Sequence, residues 1–274
     1  MEESIQKGNR ELGKQLEANF TAFTHIGAFI CFIGAVLKSM LRRFPRWELI
    51  RECLYSMGVT SLSVVSLTGF FTGLVLAAQS YYQLNDKGLA GVTGLMVAKA
   101  MLTELGPVLT ALMIVGRVGA SMTAELGTME VTEQLDAMKS MAVDPNRFLI
   151  APRFISGMIM FPILTIYSIV LGVFGGYLIA VYFFGMAPNT FWDPIPEYVD
   201  RFDLIIGMTK AYVFAFLIVS IACFKGVTTR GGAKGVGEST THGVVIAYVV
   251  ILFTNFFLTL GINVVRNEIN RWFE

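Results

Sequence analysis

Residues 154–185 read FISGMIMFPILTIYSIVLGVFGGYLIAVYFFG and contain no charged side chain. A helix needs about 20 apolar residues to cross the hydrocarbon core of a bilayer, and this run is longer. The runs do not alternate between polar and apolar residues, which argues against a membrane β-barrel. The sequence therefore predicts an all-α polytopic membrane protein with five transmembrane helices. The other four are expected at 57–82, 89–118, 204–224 and 243–265.

The composition excludes the common soluble classes. Only 15% of the 274 residues are charged, against roughly 25% in a soluble domain, and 54% are hydrophobic. A net charge of +1 offers no basic field for nucleic acid, and three cysteines and two histidines are too few for a disulfide framework or a repeated metal site. Walker A, HExxH and GxSxG motifs are absent from the sequence, so we expect no catalytic residue, metal or bound cofactor in this chain.

Two further stretches can be interpreted from their patterns. Residues 20–41 are apolar but amphipathic, so they either span the membrane or lie in its interface as an elbow helix. We favour the elbow helix, which divides the chain into an N-terminal segment, 1–52, and a single membrane domain, 53–274. The stretch GGAKGVGES, 231–239, lacks the Gly-Lys-Ser/Thr of a nucleotide-binding loop and is expected to be a flexible connection.

The basic residues between the spans predict the orientation. Cytoplasmic loops carry an excess of lysine and arginine, so the richer side is expected to be cytoplasmic. With five spans, the N-terminus is then cytoplasmic and the C-terminus lies outside. The poorer side carries Lys87, Arg201, Arg266 and Arg271. The richer side carries fourteen residues: Lys7, Arg10, Lys14, Lys38, Arg42, Arg43, Arg46, Arg51, Lys139, Arg147, Arg153, Lys225, Arg230 and Lys234.

Two charged residues, Lys99 and Glu104, lie within residues 95–115 of the second span. A charge at this depth is costly unless it is paired or hydrated, so each is a candidate functional residue. The two are five positions apart and so face different sides of a helix. Gly106 and Pro107 follow Glu104 and predict a helix kink there. Glu104 therefore either borders a cavity or subunit seam, or extends toward the membrane surface.

The segment after the second span has helical periodicity from Met129 to Met141, with an acidic surface. It predicts a short amphipathic helix between the second and third spans, and the pattern alone favours an ordinary surface helix over a coupling element. Within the spans, GxxxG pairs at Gly69 and Gly73 and at Gly172 and Gly176 favour close helix packing.

The same region carries motifs that resemble the MlaE family, the permease subunits of ABC-type lipid transporters that work with MCE-domain proteins. Similar motifs open the third span and precede the fifth, and the resemblance covers roughly residues 50–265. The central motifs are ELGPV (104–108), GRVGA (116–120), AELG (124–127), TEQ (132–134), DAM (136–138) and AVDP (142–145).

The resemblance implies a set of partners. It implies a homodimer in the inner membrane, with two ABC ATPase subunits and a small accessory protein on the cytoplasmic face. A ring of periplasmic MCE-domain proteins is implied on the other face, and a phospholipid is the implied substrate. ATP and Mg would be used by the partner ATPase, and nucleic acid is not an expected partner.

The resemblance also implies site residues. Glu104, Leu105 and Leu76 would line a lipid cavity between the two copies, and an acidic coupling helix at about 125–141 would dock on the ATPase. Two positions depart from some relatives: Thr103 replaces an arginine and Asn255 an aspartate, which lowers the charge of the cavity. The implied contacts of the coupling helix are Glu125, Glu130, Glu133 and Asp136.

Two other classes compete with the lipid transporter. An ion-coupled secondary transporter would use Glu104 and Lys99 as a relay and would need no ATPase. A membrane enzyme acting on lipids would need a convergent nucleophile and base, which the sequence does not offer.

Overall fold

A computed structural model describes residues 24, 27–40 and 45–273 of the chain. Within these ranges the chain is almost entirely helical and contains no strand, which confirms the all-α prediction. The order of the helices follows from the apolar runs and the short polar turns between them. The helices are α1 Gly27–Met40, α2 Trp47–Asn85, α3 Ala90–Val131, α4 Gln134–Ser140, α5 Asn146–Phe183, α6 Pro188–Trp192, α7 Pro194–Tyr198, α8 Arg201–Val227 and α9 Gly232–Phe273.

Five helices in the described part of the chain are long and apolar enough to cross a membrane, as predicted: α2, α3, α5, α8 and α9. The starts of α2, α5 and α9 and the ends of α3 and α8 lie at one end of the bundle, which we call the basic end. Three of the five helices, α2, α8 and α9, extend beyond their predicted span at both ends, and α3 and α5 extend beyond it at the basic end only. α2 begins at Trp47, a few residues before the predicted domain boundary at 52/53.

The stretch 20–41 is only partly described, because residues 20–23, 25–26 and 41 lie outside the described ranges. Its described part forms α1, a helix shorter than the ~20 residues of a membrane span. Val36 is fully buried, and the rings of Phe29 and Phe32 contact Phe224 near the end of α8. α1 therefore packs against the basic end, and its position relative to the membrane stays a prediction.

Close packing of α2 against α5 depends on the predicted GxxxG glycines. A Cβ atom on Gly73 would overlap the carbonyl oxygen of Gly172, and one on Gly69 would lie 2.8 Å from the carbonyl oxygen of Ser168. Only the absence of side chains lets the two backbones approach so closely. A hydrogen bond of 3.0 Å from Ser156 Oγ of α5 to the Ile50 carbonyl of α2 joins the same helices nearer the basic end.

The core of the described bundle surrounds α8. Its residues Phe214, Ile218 and Val219 are almost fully buried among side chains of α3 and α5. Thr123 of α3 donates a hydrogen bond of 3.1 Å to the Ala222 carbonyl oxygen of α8. α8 is thus held by its neighbours along most of its length.

The segment at 129–141 differs from the single helix that the periodicity predicts. α3 continues to Val131, the chain turns at Thr132 and Glu133, and α4 begins at Gln134. Glu133 has a φ of 60°, a left-handed conformation that breaks the helix. Apolar residues keep the helical spacing across the break, which is why the pattern did not reveal it; Leu135 is buried in α4.

The glycine-rich stretch 231–239 is also different from its prediction. It is the first two turns of α9 rather than a flexible connection. Gly231 and Gly232 have φ values of 94° and 67°, so glycine is needed to turn the chain between α8 and α9. A Cβ atom on Gly235 would overlap the Arg230 carbonyl oxygen, which shows how tightly the turn is folded.

Candidate functional site

The local geometry of α3 places Glu104 at an irregular point of the helix. Residues Met101–Leu105 form a π-helical turn, and α-helix resumes at Gly106 with Pro107 in its first turn. Proline has no N–H to donate, and its ring clashes with the carbonyl one turn earlier. The regular hydrogen bonds of the α-helix are interrupted there, which favours a wider turn directly before it. A π-helical turn thus lies directly before Gly106 and Pro107, and the helix kink expected there stays a prediction. Such turns often occur at functional sites.

Glu104 contacts polar residues of two other helices, α8 and α9. Its Oε1 lies 2.6 Å from Nζ of Lys210 in α8, and Thr259 of α9 donates a hydrogen bond of 3.1 Å to the same oxygen. Lys210 in turn donates a 2.8 Å hydrogen bond to the Thr259 hydroxyl, and Asn255 Nδ2 lies 3.4 Å from Glu104 Oε2. We call these four residues, Glu104, Lys210, Asn255 and Thr259, the Glu104 cluster.

The exposure of the Glu104 cluster is asymmetric. The Lys210 side chain is fully buried, whereas the Glu104 side chain is 38% exposed. Asn255 Oδ1 is buried and has no hydrogen-bond partner within the described part of the chain. The cluster is thus anchored on one side and open on the other, with a free acceptor beside the carboxylate.

Sequence reasoning missed Lys210. It lies in the middle of the fourth apolar run, and the rule that singled out Lys99 and Glu104 applies to it equally. The structure explains how a buried ammonium is tolerated there, since a carboxylate and a hydroxyl surround it. Lys99 and Glu104, the two residues that the ion-coupled alternative would use as a relay, pair with different residues in the described part of the chain.

Lys99 belongs to a second charged group at the end of the bundle opposite the basic end. Its Nζ lies 3.5 Å from Oδ2 of Asp203, a fully buried carboxylate near the start of α8. Arg266 of α9 contacts the same carboxylate at 3.2 Å and Asp200 at 3.4 Å. Asp200 and Asp203 also form a reciprocal capping box at the start of α8. These ion pairs tie α3, α8 and α9 together.

The two leucines proposed for the lipid cavity lie together. Leu76 of α2 and Leu105 of α3 are both half-buried and pack against one apolar cluster around Met101. Leu105 is the residue after Glu104, so an apolar surface adjoins the polar cluster. Thr103, the position that departs from some relatives, donates its hydroxyl to the Lys99 carbonyl of its own helix at 2.9 Å.

The four proposed coupling residues divide into two groups. Glu125 lies in α3 before the break, and Arg153 of α5 donates to its Oε2 at 3.1 Å. Glu130, Glu133 and Asp136 lie at the break and in α4, with Glu133 and Asp136 exposed. Asp136 accepts a 2.8 Å hydrogen bond from Lys139, which raises the pKa of that ammonium. Glu125 is thus paired with a neighbouring helix although its side chain is 51% exposed, and the other three lie further toward the basic end.

The Glu104 cluster offers a carboxylate, an amide and a hydroxyl that can bind a polar group. Its carboxylate and its ammonium lie 2.6 Å apart and compensate each other electrostatically. A polar patch next to leucines suits a molecule with a polar head and apolar tails. Within the described residues, no serine or cysteine nucleophile contacts the cluster.

Comparison with known proteins places this geometry in a family. The profile of the family described as Permease MlaE matches residues 50–260. The chain is similar to the intermembrane phospholipid transport system permease protein MlaE of Haemophilus influenzae, with 40% identity over 90% of this chain and 94% of that protein.

Two further relatives extend the comparison. The probable ABC transporter permease protein of Rickettsia bellii is 41% identical over 85% of this chain and 90% of its own length. The TRIGALACTOSYLDIACYLGLYCEROL 1 protein of Arabidopsis thaliana, a chloroplastic protein, is 36% identical over 82% of this chain and 65% of its own length. The profile match covers most of the chain and includes every long helix that carries the Glu104 cluster. This chain belongs to the MlaE permease family.

Proposed function

We propose that this chain is the membrane subunit of an ATP-driven transporter that moves phospholipid between the inner membrane and a periplasmic MCE protein. The observation that carries the proposal is the Glu104 cluster, an anchored polar group that is open on one side. The next residue of α3, Leu105, packs on the same apolar cluster as Leu76. A phospholipid has the same combination of a polar head and apolar tails. The name of the Haemophilus relative, a permease of an intermembrane phospholipid transport system, supports this substrate class.

The energy source in this proposal is a partner. The 274 residues contain no Walker A motif, so ATP and Mg would be bound by an ABC ATPase on the cytoplasmic face, and a small accessory protein would join it there. The exposed acidic residues Glu133 and Asp136, together with Glu130, offer a contact surface at the basic end. Glu125 would act indirectly, since its ion pair with Arg153 links α3 to α5.

A homodimer and an MCE ring complete the proposed assembly. The 38% exposure of Glu104 leaves the site open in one chain, and a second copy would supply the opposite wall of the cavity. The N-terminus is proposed to be cytoplasmic and the C-terminus periplasmic, because the basic residues concentrate at one end of the bundle. The MCE ring would then meet the opposite end.

The ion-coupled alternative has no support. It requires Glu104 and Lys99 to exchange a proton or an ion, but each is paired with a different residue of α8: Lys210 for Glu104 and Asp203 for Lys99.

The test of the site compares two substitutions in the purified complex. Glu104→Gln keeps the volume and removes the charge, and Glu104→Leu also removes the polarity. We expect both to reduce lipid transfer to the MCE protein, Leu more than Gln, while ATPase binding is unchanged. Thr68→Val on α2 is a matched control, because its hydroxyl bonds to the Val64 carbonyl of its own helix. Full transfer by the Leu variant would contradict the proposal.

The test of ATPase coupling reverses three charges. Changing Glu130, Glu133 and Asp136 to lysine should detach or uncouple the ATPase without unfolding the bundle, because these residues lie outside the spans. Glu197→Lys, an exposed acid at the opposite end, is the control. Normal assembly and transport in the triple variant would show that another surface binds the ATPase.

The test of orientation uses single cysteines in a background in which Cys31, Cys53 and Cys223 are replaced by alanine. A cysteine at Asn189 should react with an impermeant maleimide in intact spheroplasts, and one at Ser140 only after permeabilisation. The opposite result would invert the proposed topology.

A further inference from the structure

A second polar cavity lies near the basic end, away from the Glu104 cluster. It is formed between α2, α3 and α5 and has a volume of about 390 Å³. On α3, Arg117 of this cavity follows Glu104 by thirteen residues, which corresponds to ~20 Å along a helix. The two sites are therefore separate. Its polar lining includes Glu52, Ser56, Thr60, Arg117, Glu125 and Arg153.

Two of the four charged side chains that line this cavity form an ion pair with each other. Arg153 donates to Glu125 at 3.1 Å and to the Leu149 carbonyl at 2.8 Å, and its residue is 8% exposed. This pair forms a fixed wall. Ser121 donates a further 3.0 Å hydrogen bond to Glu125 and holds the carboxylate in place.

The other two charges lack an ionic partner. Arg117 makes one hydrogen bond, of 3.0 Å to the Ser61 hydroxyl, and no described carboxylate lies within ion-pair distance of it. Glu52 of α2 likewise forms no ion pair with a described residue. A guanidinium carries five N–H donors, so most of the donor capacity of Arg117 is unused. One cation and one anion thus face the same cavity without meeting each other.

The depth of Arg117 matches a layer of lipid headgroups. It follows the first residue of α3, Ala90, by 27 positions, which is ~40 Å along a helix and close to the full thickness of a bilayer including headgroups. If α3 begins at one membrane surface, Arg117 lies at the headgroup level of the other leaflet. At the basic end, that leaflet is the cytoplasmic one in the proposed orientation.

We propose that this cavity binds the phosphoethanolamine headgroup of a phospholipid from the leaflet at the basic end, with the phosphate on Arg117 and the ammonium on Glu52. The inference rests on the proposed function and names a second lipid site on the route to the Glu104 cluster. Arginine presents a planar set of donors that suits phosphate. The carboxylate and the hydroxyls of Ser56 and Thr60 can accept hydrogen bonds from a primary ammonium.

The charge pattern selects among headgroups. A phosphoglycerol group carries no cation, so it would leave Glu52 without a partner next to the phosphate. A phosphocholine group has a cation but no N–H donor for Glu52, Ser56 or Thr60. The headgroup that uses both unpaired charges and the hydroxyls is phosphoethanolamine.

The experiment places a photoreactive residue in the cavity. The full chain with its co-purifying partners, carrying Ser121→p-benzoylphenylalanine, is reconstituted without ATP in nanodiscs of equal parts phosphatidylethanolamine, phosphatidylglycerol and phosphatidylcholine. Lipid adducts are counted by mass spectrometry after irradiation. We expect phosphatidylethanolamine to be enriched at Ser121. A probe at Ile159, an exposed residue of α5, should report the bulk lipid ratio.

Two substitutions test the two charges. Arg117→Gln should lower the phosphatidylethanolamine adduct about tenfold, the usual weight of a charge-assisted hydrogen bond. Glu52→Gln should remove the preference over phosphatidylglycerol. Arg51→Gln removes a neighbouring exposed cation that does not line the cavity, and it should leave the adducts unchanged. Arg117→Lys keeps a cation and should retain part of the yield.

Several outcomes would overturn the inference. These are adducts at Ser121 in the bulk lipid ratio, a crosslink to a second copy of the chain instead of lipid, or equal losses with Arg51→Gln and Arg117→Gln. Binding of free phosphoethanolamine to the complex, with no selective lipid adduct in nanodiscs, would show that a soluble headgroup is the ligand rather than a lipid, and would also overturn it. Lipid transfer to an MCE protein is measured separately. Normal transfer without selective adducts would refute this second site alone. Selective adducts without any transfer would refute the proposed function.

Discussion

α8 and α9 are both apolar enough to span a membrane, yet they have very different environments. In the most apolar 18 residues of each helix, 56% are buried in α8 and 11% in α9. α8 is enclosed by α3, α5 and α9, whereas α9 presents large apolar residues such as Val249, Phe253 and Leu260 on its outer side. The comparison shows that apolar composition identifies a span but does not indicate what the span faces.

The polar residues distinguish the two helices better than the apolar ones. α8 carries Lys210 and Asp203, both fully buried and both paired. α9 contributes Thr259 and Asn255 to the Glu104 cluster from one side only. In a membrane, lipid is as apolar as a leucine side chain, so exposing the apolar side of α9 to lipid costs no free energy. This side can therefore face lipid or a second copy of the chain. Three predictions test this difference between α8 and α9.

The largest effect is expected at Lys210. Lys210→Met removes the buried cation and leaves Glu104 without its ionic partner, which should lower the free energy of unfolding by about 3 kcal/mol. The 38% exposure of Glu104 keeps the effect from being larger, because water reaches the carboxylate. The midpoint of thermal unfolding in detergent measures it.

A second variant tests the cause of that loss. If the unpaired carboxylate is responsible, Lys210→Met combined with Glu104→Gln should be more stable than Lys210→Met alone. If the double variant is less stable, the loss comes from packing around residue 210 and the ion pair is not a main contributor. Thr259→Val, on α9, should be milder, at about 2 kcal/mol for its hydrogen bonds with Glu104 and Lys210.

The sequence predicted the spans because their signal is local. Each apolar run contains enough residues to cross a bilayer, and each is found as a helix. Glu104 was also predictable, since a carboxylate at that depth and a proline three positions later are visible without a structure. Its partners were not, because Lys210, Asn255 and Thr259 are distant in sequence and only packing brings them together.

Other features could not be predicted for physical reasons. The break at Glu133 requires a left-handed backbone at a residue type that rarely adopts it, so neither periodicity nor propensity indicates it. The helical start of α9 was hidden by glycines that are unfavourable in helices but are needed for the tight turn at Gly231. The central position of α8 depends on contacts with three other helices.

The second prediction compares one phenylalanine from each helix. Phe214 of α8 is 1% exposed and Phe253 of α9 is 65% exposed. Phe214→Ala should leave a cavity and lower the free energy of unfolding by about 2–4 kcal/mol, because the surrounding helices cannot close it. Phe253→Ala should change it by less than about 0.5 kcal/mol in the isolated chain.

The same pair also shows what α9 faces in the assembled protein. If a second copy covers this side, Phe253→Ala should weaken dimerisation, measured by the dissociation of crosslinked or fluorescently labelled subunits, although the isolated chain is unaffected. A normal dimer with Phe253→Ala would indicate that this part of α9 faces lipid. Equal destabilisation by the two substitutions in the isolated chain would contradict the contrast between the helices.

The smallest effects are expected from one glycine in each helix. A Cβ atom on Gly207 of α8 would overlap the Leu102 carbonyl oxygen of α3, just before the Glu104 cluster, whereas Gly261 of α9 has open space around it. Gly207→Ala should therefore lower the free energy of unfolding by about 1–2 kcal/mol through the forced shift of α3. Gly261→Ala should raise it by about 0.5 kcal/mol, since alanine loses less backbone entropy than glycine on entering a helix. The midpoint of thermal unfolding in detergent should fall for Gly207→Ala and rise for Gly261→Ala. A loss of stability with Gly261→Ala in the dimer, but not in the isolated chain, would mean that the second copy approaches α9 at this position.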